Sequence, residues 1–401
     1  MCRIAVLGCL DTKGHEHAFV AQIIESLGHT PLLIDVGTTN TPQVPVDISV
    51  TDIVPAFTHP ADRGSCVSEV AGAVGRFVQR LAREKKIDGI ITLGGGGGTS
   101  IGTAAMRALP LGIPKVMVST LASGNTAPYV GTSDIVMVPS VVDVAGLNRL
   151  SRSIFTAAAH AVCSMASARQ GNETPSDKQK PLIVASMFGN TTECVNLAKQ
   201  EMELAGYEVL VFHATGTGGR TMESLIASGM VAGVLDITTT EVADEICGGV
   251  LSAGPTRLDA AGAAGVPAIV VPGCVDMVNF GPRESMPTHL ADRTCYQHND
   301  QVTLMRTTAS ENRKIAMFLA SKLNAYTLRP TVLLPQKGTS VLAENGNPFH
   351  DAEADCALFE TLQAQLDPEI RLVTSGHAIN DPAFARLCAH ELLGLLASSQ
   401  P

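Results

Sequence analysis

The sequence predicts an α/β protein made of two tandem Rossmann-like domains, each with a mostly parallel, doubly wound sheet. Short β-rich runs that end in Gly, Ser, Thr or Asp alternate with longer amphipathic stretches along the whole chain, an order typical of parallel sheets with crossover helices. The composition agrees, because 45% of the 401 residues are hydrophobic, 16% are charged and 37 are glycine. Such a composition is typical of buried parallel strands joined by glycine-rich turns.

In the first half of the chain, the alternation predicts five strands and four helices. The strands are expected at 3–9, 31–36, 89–93, 115–120 and 134–139, and the helices at 14–27, 66–86, 99–109 and 147–168. A polar segment without apolar periodicity then separates the halves, so we expect domains at 1–172 and 182–401 joined by a linker at 173–181.

The second half of the chain shows the same alternation of strand-like and helix-like segments. Strands are expected at 182–187, 208–212, 233–237, 268–272, 331–334 and 371–374, and helices at 191–204, 220–228, 242–247, 311–323, 352–366 and 382–396. The stretch 280–305 shows little regular pattern. Long irregular segments in compact domains are often functional.

Charge and cysteine content exclude several classes of protein. The net charge is −10, so no basic field is available to attract nucleic acid or an anionic membrane. No run of about 18 apolar residues occurs, so no membrane span is expected. The ten cysteines include no Cys-x-x-Cys pair, which favours reduced thiols in a cytoplasmic protein.

The strongest local motif is a run of five glycines between a β-run and a helix. Glycines let backbone N–H groups approach an oxyanion, and the helix N-terminus adds its dipole. No Lys follows the run, so it is not a Walker A loop, and a flexible strand-to-helix turn is the alternative. The expected anion-binding residues are Gly94, Gly95, Gly96, Gly97, Gly98, Thr99 and Ser100.

Polar residues near other strand ends of the first half are expected to meet this glycine run. In an open α/β sheet the loops after the strands converge on one crevice. The candidates are Asp11, Thr12, Lys13, Ser123, Gly124, Asn125, Thr132 and Ser133. Lys13 would neutralise phosphate charge, and Asp11 or Asp134 would hold Mg²⁺ through water. Helix capping or turn formation is the alternative role for each of them.

A second crevice is expected in the second half. The candidates for its catalytic groups are His213, Arg220, Asp236, Glu241 and Asp276, with His298 as a further member of a hydrolytic or metal site. No pair has diagnostic metal-ligand spacing, so the identity of any metal stays unknown. Arg220 is expected to bind a carboxylate or phosphate at the Gly216–Gly219 turn. Pairing of Arg220 with Glu241 or Asp236 is the alternative.

The pair His15 and His17 is not expected to bind one metal ion. On a helix, residues two apart diverge by about 200°. The segment is therefore expected to lie on a solvated helix surface.

Several blocks together resemble one family of bacterial proteins without an assigned function, which is similar to the N-terminal ATP-binding domain of a plant tobamovirus-resistance protein. The blocks are 93–100, 131–134, 139–143, 212–220, 233–244, 276–282, 298–299 and 304–308. The resemblance implies two Rossmann-like subdomains, a homodimer, and ATP bound in the first subdomain. The plant protein also has a C-terminal TIM-barrel-like domain, so a separate TIM-barrel-like protein is a candidate partner. Gln336 and Ala343 stand where the family pattern has acidic residues, and no metal or acid–base role is assigned there.

These observations predict a cytoplasmic protein that binds ATP, with Mg²⁺, in its first domain and a small anionic molecule in its second. An ATP-dependent transferase or hydrolase of small-acid metabolism fits this description. The alternatives are a non-enzymatic dimer stabilised by nucleotide, and an ATP-independent metal lyase or hydrolase.

Overall fold

The computed structural model describes residues 1–38, 41–54, 63–171 and 180–398, with side chains for all of these except 63–68. The chain divides into two compact units, Met1–Ser176 and Asp177–Pro401. Nearly all of the predicted linker 173–181 lies outside the described residues. Each unit is an α/β sandwich, and the fold class predicted from the sequence is confirmed.

The first unit is built on a five-stranded parallel sheet with the order β2-β1-β3-β4-β5. The strands are β1 (Arg3–Gly8), β2 (Thr30–Asp35), β3 (Gly89–Gly94), β4 (Lys115–Ser119) and β5 (Val136–Pro139). The helices are α1 (Leu10–Ser26), α2 (Val50–Ile53), α3 (Arg63–Arg83), α4 (Gly96–Arg107), α5 (Ala127–Val130) and α6 (Arg149–Gly171). The four long helices were predicted within a few residues, whereas the one-turn helices α2 and α5 were missed.

Two separate hydrophobic cores lie on the two faces of the sheet, and alternating side chains of β1 belong to one and the other. In β1, Ala5 and Leu7 belong to a core with residues of α3 and α4. Ile4 and Val6 belong to a core on the other face, with residues of α1 and α6. Because successive strand residues point to opposite faces, an unbroken apolar strand needs helices on both sides of its sheet.

The second unit has a six-stranded parallel sheet with the order β14-β13-β9-β8-β6-β7. The strands of this sheet are β6 (Leu182–Met187), β7 (Glu208–His213), β8 (Val231–Thr238), β9 (Ala268–Gly273), β13 (Thr331–Pro335) and β14 (Arg371–Ser375). The helices are α7 (Thr192–Leu204), α8 (Thr217–Ala227), α9 (Thr240–Cys247), α10 (Ala260–Ala264), α11 (Ala309–Asn324), α12 (Ala352–Gln365) and α13 (Pro382–Ser398). Two large cores again lie on the two faces of the sheet.

The stretch 280–305 is more regular than the sequence suggested. The strands β10 (Met277–Phe280), β11 (Cys295–Asn299) and β12 (Val302–Arg306) form an antiparallel sheet in the order β10-β12-β11. All of β11 is at least partly exposed, so it lacks the apolar run that marked the other strands. Its pairing with β12, rather than its own hydrophobicity, holds it in place.

Among the cysteines with described side chains, five are buried free thiols, namely Cys2, Cys163, Cys194, Cys274 and Cys388. Among the described residues, none of the helices combines the length and the apolar character that crossing a membrane requires.

Candidate functional site

The order of the first sheet places a crevice between β1 and β3. The connections from these two neighbouring strands run in opposite directions along the sheet, β1 to β2 on one side and β3 to β4 on the other. Ligands of open α/β sheets bind outside the carboxyl ends of the strands at such a switch point.

A cavity of about 220 Å³ lies at this switch point. It is lined by Cys9, Asp11, Thr12, Lys13, Thr38, Leu93, Gly95, Gly96, Gly97, Gly98 and Ile101. The structure therefore brings together the β1 loop and the glycine run, as the sequence suggested. Four of the lining residues were not among the predicted site residues, namely Cys9, Thr38, Leu93 and Ile101.

The five glycines do not form an extended loop. Gly94 ends β3, Gly95 caps α4, and Gly96 is its first residue. The N–H groups of the first helical turn have no acceptor within the helix, and the three residues of this turn, Gly96, Gly97 and Gly98, line the cavity. A Cβ on Gly96 or Gly97 would have no neighbour within 4 Å, whereas one on Gly94 would lie 2.9 Å from Cα of Gly98. Gly94 is thus needed for the turn itself, while Gly96 and Gly97 leave space open.

Thr99 and Ser100 follow the open turn on α4. The side chain of Thr99 is buried, and its hydroxyl lies 2.7 Å from that of Ser119 at the end of β4. Thr99 therefore joins α4 to the sheet and is not available to a ligand. Ser100 is half-buried and does not line the cavity.

Lys13 is held at the cavity by a break in α1. Its backbone (φ −132°, ψ 29°) is not helical, and its ammonium donates to the carbonyl of Val144. Among the described residues lining the cavity, Lys13 is the cation. A positive charge beside free helix N–H groups favours an anion there.

The buried side chain of His17 stabilises the non-helical backbone at Lys13. The expectation of a solvated His15–His17 segment is wrong for two of its residues, because His17 and Glu16 are buried and only His15 is exposed. Nδ1 of His17 lies 2.7 Å from the carbonyl of Lys13, and Nε2 lies 3.4 Å from the N–H of Leu93. Burial lowers the pKa of His17, so the neutral ring, with its proton on Nδ1, donates to Lys13 and accepts from Leu93.

Asp35, at the end of β2, holds the start of α1. One oxygen, Oδ1, accepts hydrogen bonds of 2.9 Å from the N–H groups of Leu10 and Gly37. Burial raises the pKa of Asp35, although both N–H groups oppose the rise. Asp11 is 7% exposed and lines the cavity.

A second cavity, of about 360 Å³, lies over the carboxyl ends of β4 and β5. Ser123 lines it with Thr120, Ser140, Val141, Val142 and Asp143. Val141 has a φ of 62° and is 74% exposed, which is an unfavourable conformation for a β-branched residue. Gly124 and Asn125 are exposed in the adjoining turn, where Oδ1 of Asn125 accepts from the N–H of Ala127.

Thr132 and Ser133 do not lie at the carboxyl ends of the strands, where the two cavities are found. They precede β5, and their neighbour Asp134 pairs at 2.5 Å with Lys115, the first residue of β4. In a parallel sheet the residues before the strands lie at the opposite edge from the loops after them. The expected role of Asp134 in holding Mg²⁺ beside the glycines is therefore not supported.

In the second unit, two of the predicted catalytic carboxylates are partners of a buried arginine. Arg257 is 1% exposed and binds Asp236 through two hydrogen bonds of 2.6 and 2.7 Å. It also donates to Glu241 at 2.8 Å and to Glu223 at 3.2 Å. Burial by itself would lower the pKa of Arg257, but the three carboxylates raise it well above its ordinary value. The geometry gives Asp236 and Glu241 a structural role.

The turn predicted to bind an external anion is filled by Glu241. Its Oε1 accepts the N–H groups of Gly216 at 2.7 Å and of Gly219 at 3.0 Å, at the N-terminus of α8. A Cβ on Gly219 would overlap this carboxylate. The pattern of glycines before a helix correctly indicated an oxyanion, but the oxyanion belongs to the protein.

Arg220 takes part in neither of the expected arrangements. It is exposed, and it donates to the carbonyl of Ser252 at 3.0 Å and to the hydroxyl of Thr217 at 3.2 Å. The arginine that pairs with Glu241 and Asp236 is Arg257. His213 is exposed at the end of β7, and its ring centroid lies 5.4 Å from that of Phe188.

Asp276 belongs to a separate buried group. It accepts from the hydroxyls of Thr339 at 3.0 Å and Ser340 at 2.7 Å. Burial raises the pKa of Asp276, and Arg306 opposes that rise. His298 is exposed on β11. Within the described residues, no three side chains of His, Cys, Asp or Glu are grouped so that they could hold a metal ion.

Asp244 on α9 provides a testable dependence of stability on pH. Its carboxylate accepts the backbone and side-chain N–H groups of Asn279, each at 2.7 Å, and burial raises the pKa of Asp244 to about 7. The folded protein thus keeps this proton to higher pH than the unfolded chain does. The free energy of unfolding should therefore fall between about pH 4 and 7, by on the order of 4 kcal/mol from this group.

We expect Asp244→Asn to lose this part of the pH dependence, because its side chain stays neutral. Urea unfolding at a series of pH values would show the stability of the variant rising relative to wild type as the pH increases. Asp300→Asn, at an exposed turn, is the control. Parallel curves for wild type and Asp244→Asn would contradict the prediction.

Fold and site together define the class of protein: two parallel, doubly wound α/β units, the first with an open glycine-lined cavity at its switch point. Two family models match the chain, the N-terminal domain of the Uncharacterised protein family (UPF0261) over residues 2–171 and its C-terminal domain over 180–396. The chain belongs to this family, and the resemblance inferred from its sequence blocks is confirmed.

Relatives agree with this assignment. A UPF0261 protein of Clostridium tetani is 46% identical over 98% of this chain and 99% of its own length. The ToMV resistance protein Tm-1(GCR237) of Solanum lycopersicum is 43% identical over 84% of this chain, a match that spans 45% of the tomato protein. Among solved structures, UDP-N-acetylglucosamine 2-epimerase from Rickettsia bellii matches 100% of this chain and 97% of its own, with a TM-score of 0.23 and 12% identity. A match at that level says nothing about activity.

Proposed function

We propose that the first unit binds ATP, with its phosphates at the N-terminus of α4 and Mg²⁺ at Asp11. The observation that carries the proposal is the open first turn of α4, whose three glycines line a cavity that is also lined by Lys13. Free helix N–H groups and a nearby ammonium suit a polyphosphate. The resemblance to a plant ATP-binding domain supplies the identity of the nucleotide.

The sizes of the cavities suggest how a nucleotide would be divided between them. The 220 Å³ cavity is smaller than the roughly 300–1,000 Å³ typical of sites for whole small molecules, so it suits phosphates alone. The 360 Å³ cavity over β4 and β5 is close, since a Cβ on Gly95 would lie 3.8 Å from the hydroxyl of Thr120 in its wall. Ser123, Ser140 and Asp143 there offer hydrogen bonds to a nucleoside.

Gly97→Ala tests the proposal with little disturbance of the fold. The new methyl group would have no protein atom within 4 Å. Alanine is also favoured over glycine in a helix by up to about 1 kcal/mol. We expect the free variant to be as stable as wild type or slightly more so, and to bind ATP with Mg²⁺ at least about tenfold more weakly, because the methyl group occupies the space of the phosphates. Calorimetric titration and thermal unfolding would measure the two effects.

Gly394→Ala is the matched control. Gly394 lies within α13 in the second unit, and a Cβ there would also have no neighbour within 4 Å. The control should gain the same helix stability and keep full ATP binding. Equal ATP affinity in wild type and Gly97→Ala, or no ATP-induced heat in wild type, would refute the proposal.

A further inference from the structure

A cavity of about 700 Å³ in the second unit is lined by none of the residues predicted for its crevice. It is lined by loops after β13 and β14 and by the first two turns of α12. Its charged and reactive lining includes Lys337, Glu344, His350, Asp355, Cys356 and Asp381. The volume falls in the range of small-molecule sites, and the position, at the carboxyl ends of parallel strands, is where such ligands bind.

Asp355 is a half-buried carboxylate, and the described residues supply a hydrogen-bond donor to only one of its two oxygens. Its side chain is 14% exposed, and within the described part of the chain it accepts one hydrogen bond, on Oδ1, from Arg306 at 2.6 Å. Burial raises the pKa of Asp355 to about 6. The second oxygen, Oδ2, accepts no hydrogen bond from the described residues and remains as an acceptor in the wall of the cavity.

Arg306 keeps Asp355 in place rather than serving as a ligand-binding group. The guanidinium donates to the carbonyls of Phe349 at 2.7 Å and Thr307 at 3.2 Å, besides its bond to Asp355. Its side chain is 5% exposed. Its donors are directed at the protein, so an anion in the cavity needs another cation.

Lys337 is that cation. It is exposed at the end of β13 and forms no ion pair with any described acidic side chain. Asp381, by contrast, lies 2.9 Å from His377 and accepts the N–H of Ala383 at 2.8 Å. Phe359 and three alanines contribute apolar surface between the charged groups. The cavity thus offers an ammonium, an unsatisfied carboxylate oxygen and an apolar wall.

We propose that this cavity is a second ligand site, which binds a small carboxylic acid bearing a hydroxyl or ammonium group. Lys337 holds the carboxylate, Asp355 accepts a hydrogen bond from the hydroxyl or ammonium group, and Phe359 contacts the carbon chain. The site is independent of the nucleotide proposed for the first unit. It lies on a different part of the second sheet from His213, Arg220 and Glu241.

Cys356 makes the proposal testable, because its exposed thiol lines the cavity. Alkylation of wild-type protein by iodoacetamide would be followed at the Cys356 peptide by mass spectrometry. The probes are 2-hydroxyhexanoate, norleucine and hexanoate, which differ only in the substituent on C2. At a concentration about nine times the Kd of a probe, alkylation should slow about tenfold, since only free protein reacts.

We expect protection by 2-hydroxyhexanoate or norleucine, whichever donor the site prefers, and much weaker protection by hexanoate. Lys337→Gln should abolish protection, while Lys314→Gln, at an exposed position on α11, should leave it unchanged. Asp355→Asn should reduce protection by the preferred acid to the level seen with hexanoate. Any other pattern overturns the proposal, including no protection in wild type, equal protection by hexanoate, or unchanged protection in Lys337→Gln. Lys337→Gln alters an exposed side chain, so the test does not depend on whether Asp355→Asn folds.

Discussion

Arg257→Met is expected to destabilise the second unit by at least about 3–5 kcal/mol, or to prevent its folding. The substitution would leave Asp236, Glu241 and Glu223 in the interior without their shared cation. Removing one partner of a buried ion pair costs that much because the remaining charge is uncompensated. Here three carboxylates lose the same partner, and Glu241 also positions the start of α8.

Arg220→Met is the matched control for this effect. Arg220 is exposed and forms no ion pair with a described carboxylate, so its replacement should change stability by no more than about 0.5 kcal/mol. Arg257→Lys keeps the charge but loses the bidentate contact with Asp236. Its stability should therefore lie between those of Arg257→Met and Arg220→Met. Thermal and urea unfolding of the three variants would measure these differences. Equal stability of Arg257→Met and Arg220→Met would contradict the structural role of Arg257.

Gly8→Ala should have the largest effect in the first unit, a loss of about 3 kcal/mol. A Cβ on Gly8 would overlap the imidazole of His17, which is fully buried against β1. The ring would have to move, and it would lose its contacts with Lys13 and Leu93. Because Lys13 lies at the proposed phosphate site, we also expect weaker binding of ATP.

A double-mutant cycle isolates this contact. In a His17→Ala background the space beside Gly8 is open, so adding Gly8→Ala should cost at least about 1 kcal/mol less than it does in wild type. Unfolding free energies of the four proteins would measure the coupling. Strictly additive effects would show that the loss in Gly8→Ala does not arise from the clash with His17.

Most of the fold is encoded locally. The strands of both parallel sheets were predicted within about two residues, because buried parallel strands are continuous apolar runs that end at turn residues. The three antiparallel strands β10, β11 and β12 were missed. The strand β11 is exposed and carries no such signal, whereas β10 and β12 are short buried strands whose apolar runs are interrupted by Asn279, Thr303 and Arg306. The meeting of the glycine run and Lys13 at one cavity was also predictable, because the loops after the strands of an open α/β sheet converge on one crevice.

The sequence by itself determined the alternation of strands and helices, the two-unit organisation of the fold, and which turns could accept an oxyanion. The tertiary structure alone decided whether each turn is open to a ligand. At Gly216–Gly219 the oxyanion is Glu241, 22 to 25 residues away along the chain, and its partner is Arg257 rather than Arg220. At Gly96–Gly98 the first helical turn faces an open cavity instead. A helix N-terminus attracts a carboxylate of its own chain as well as that of a ligand, so the choice depends on contacts between distant residues, which local patterns do not record.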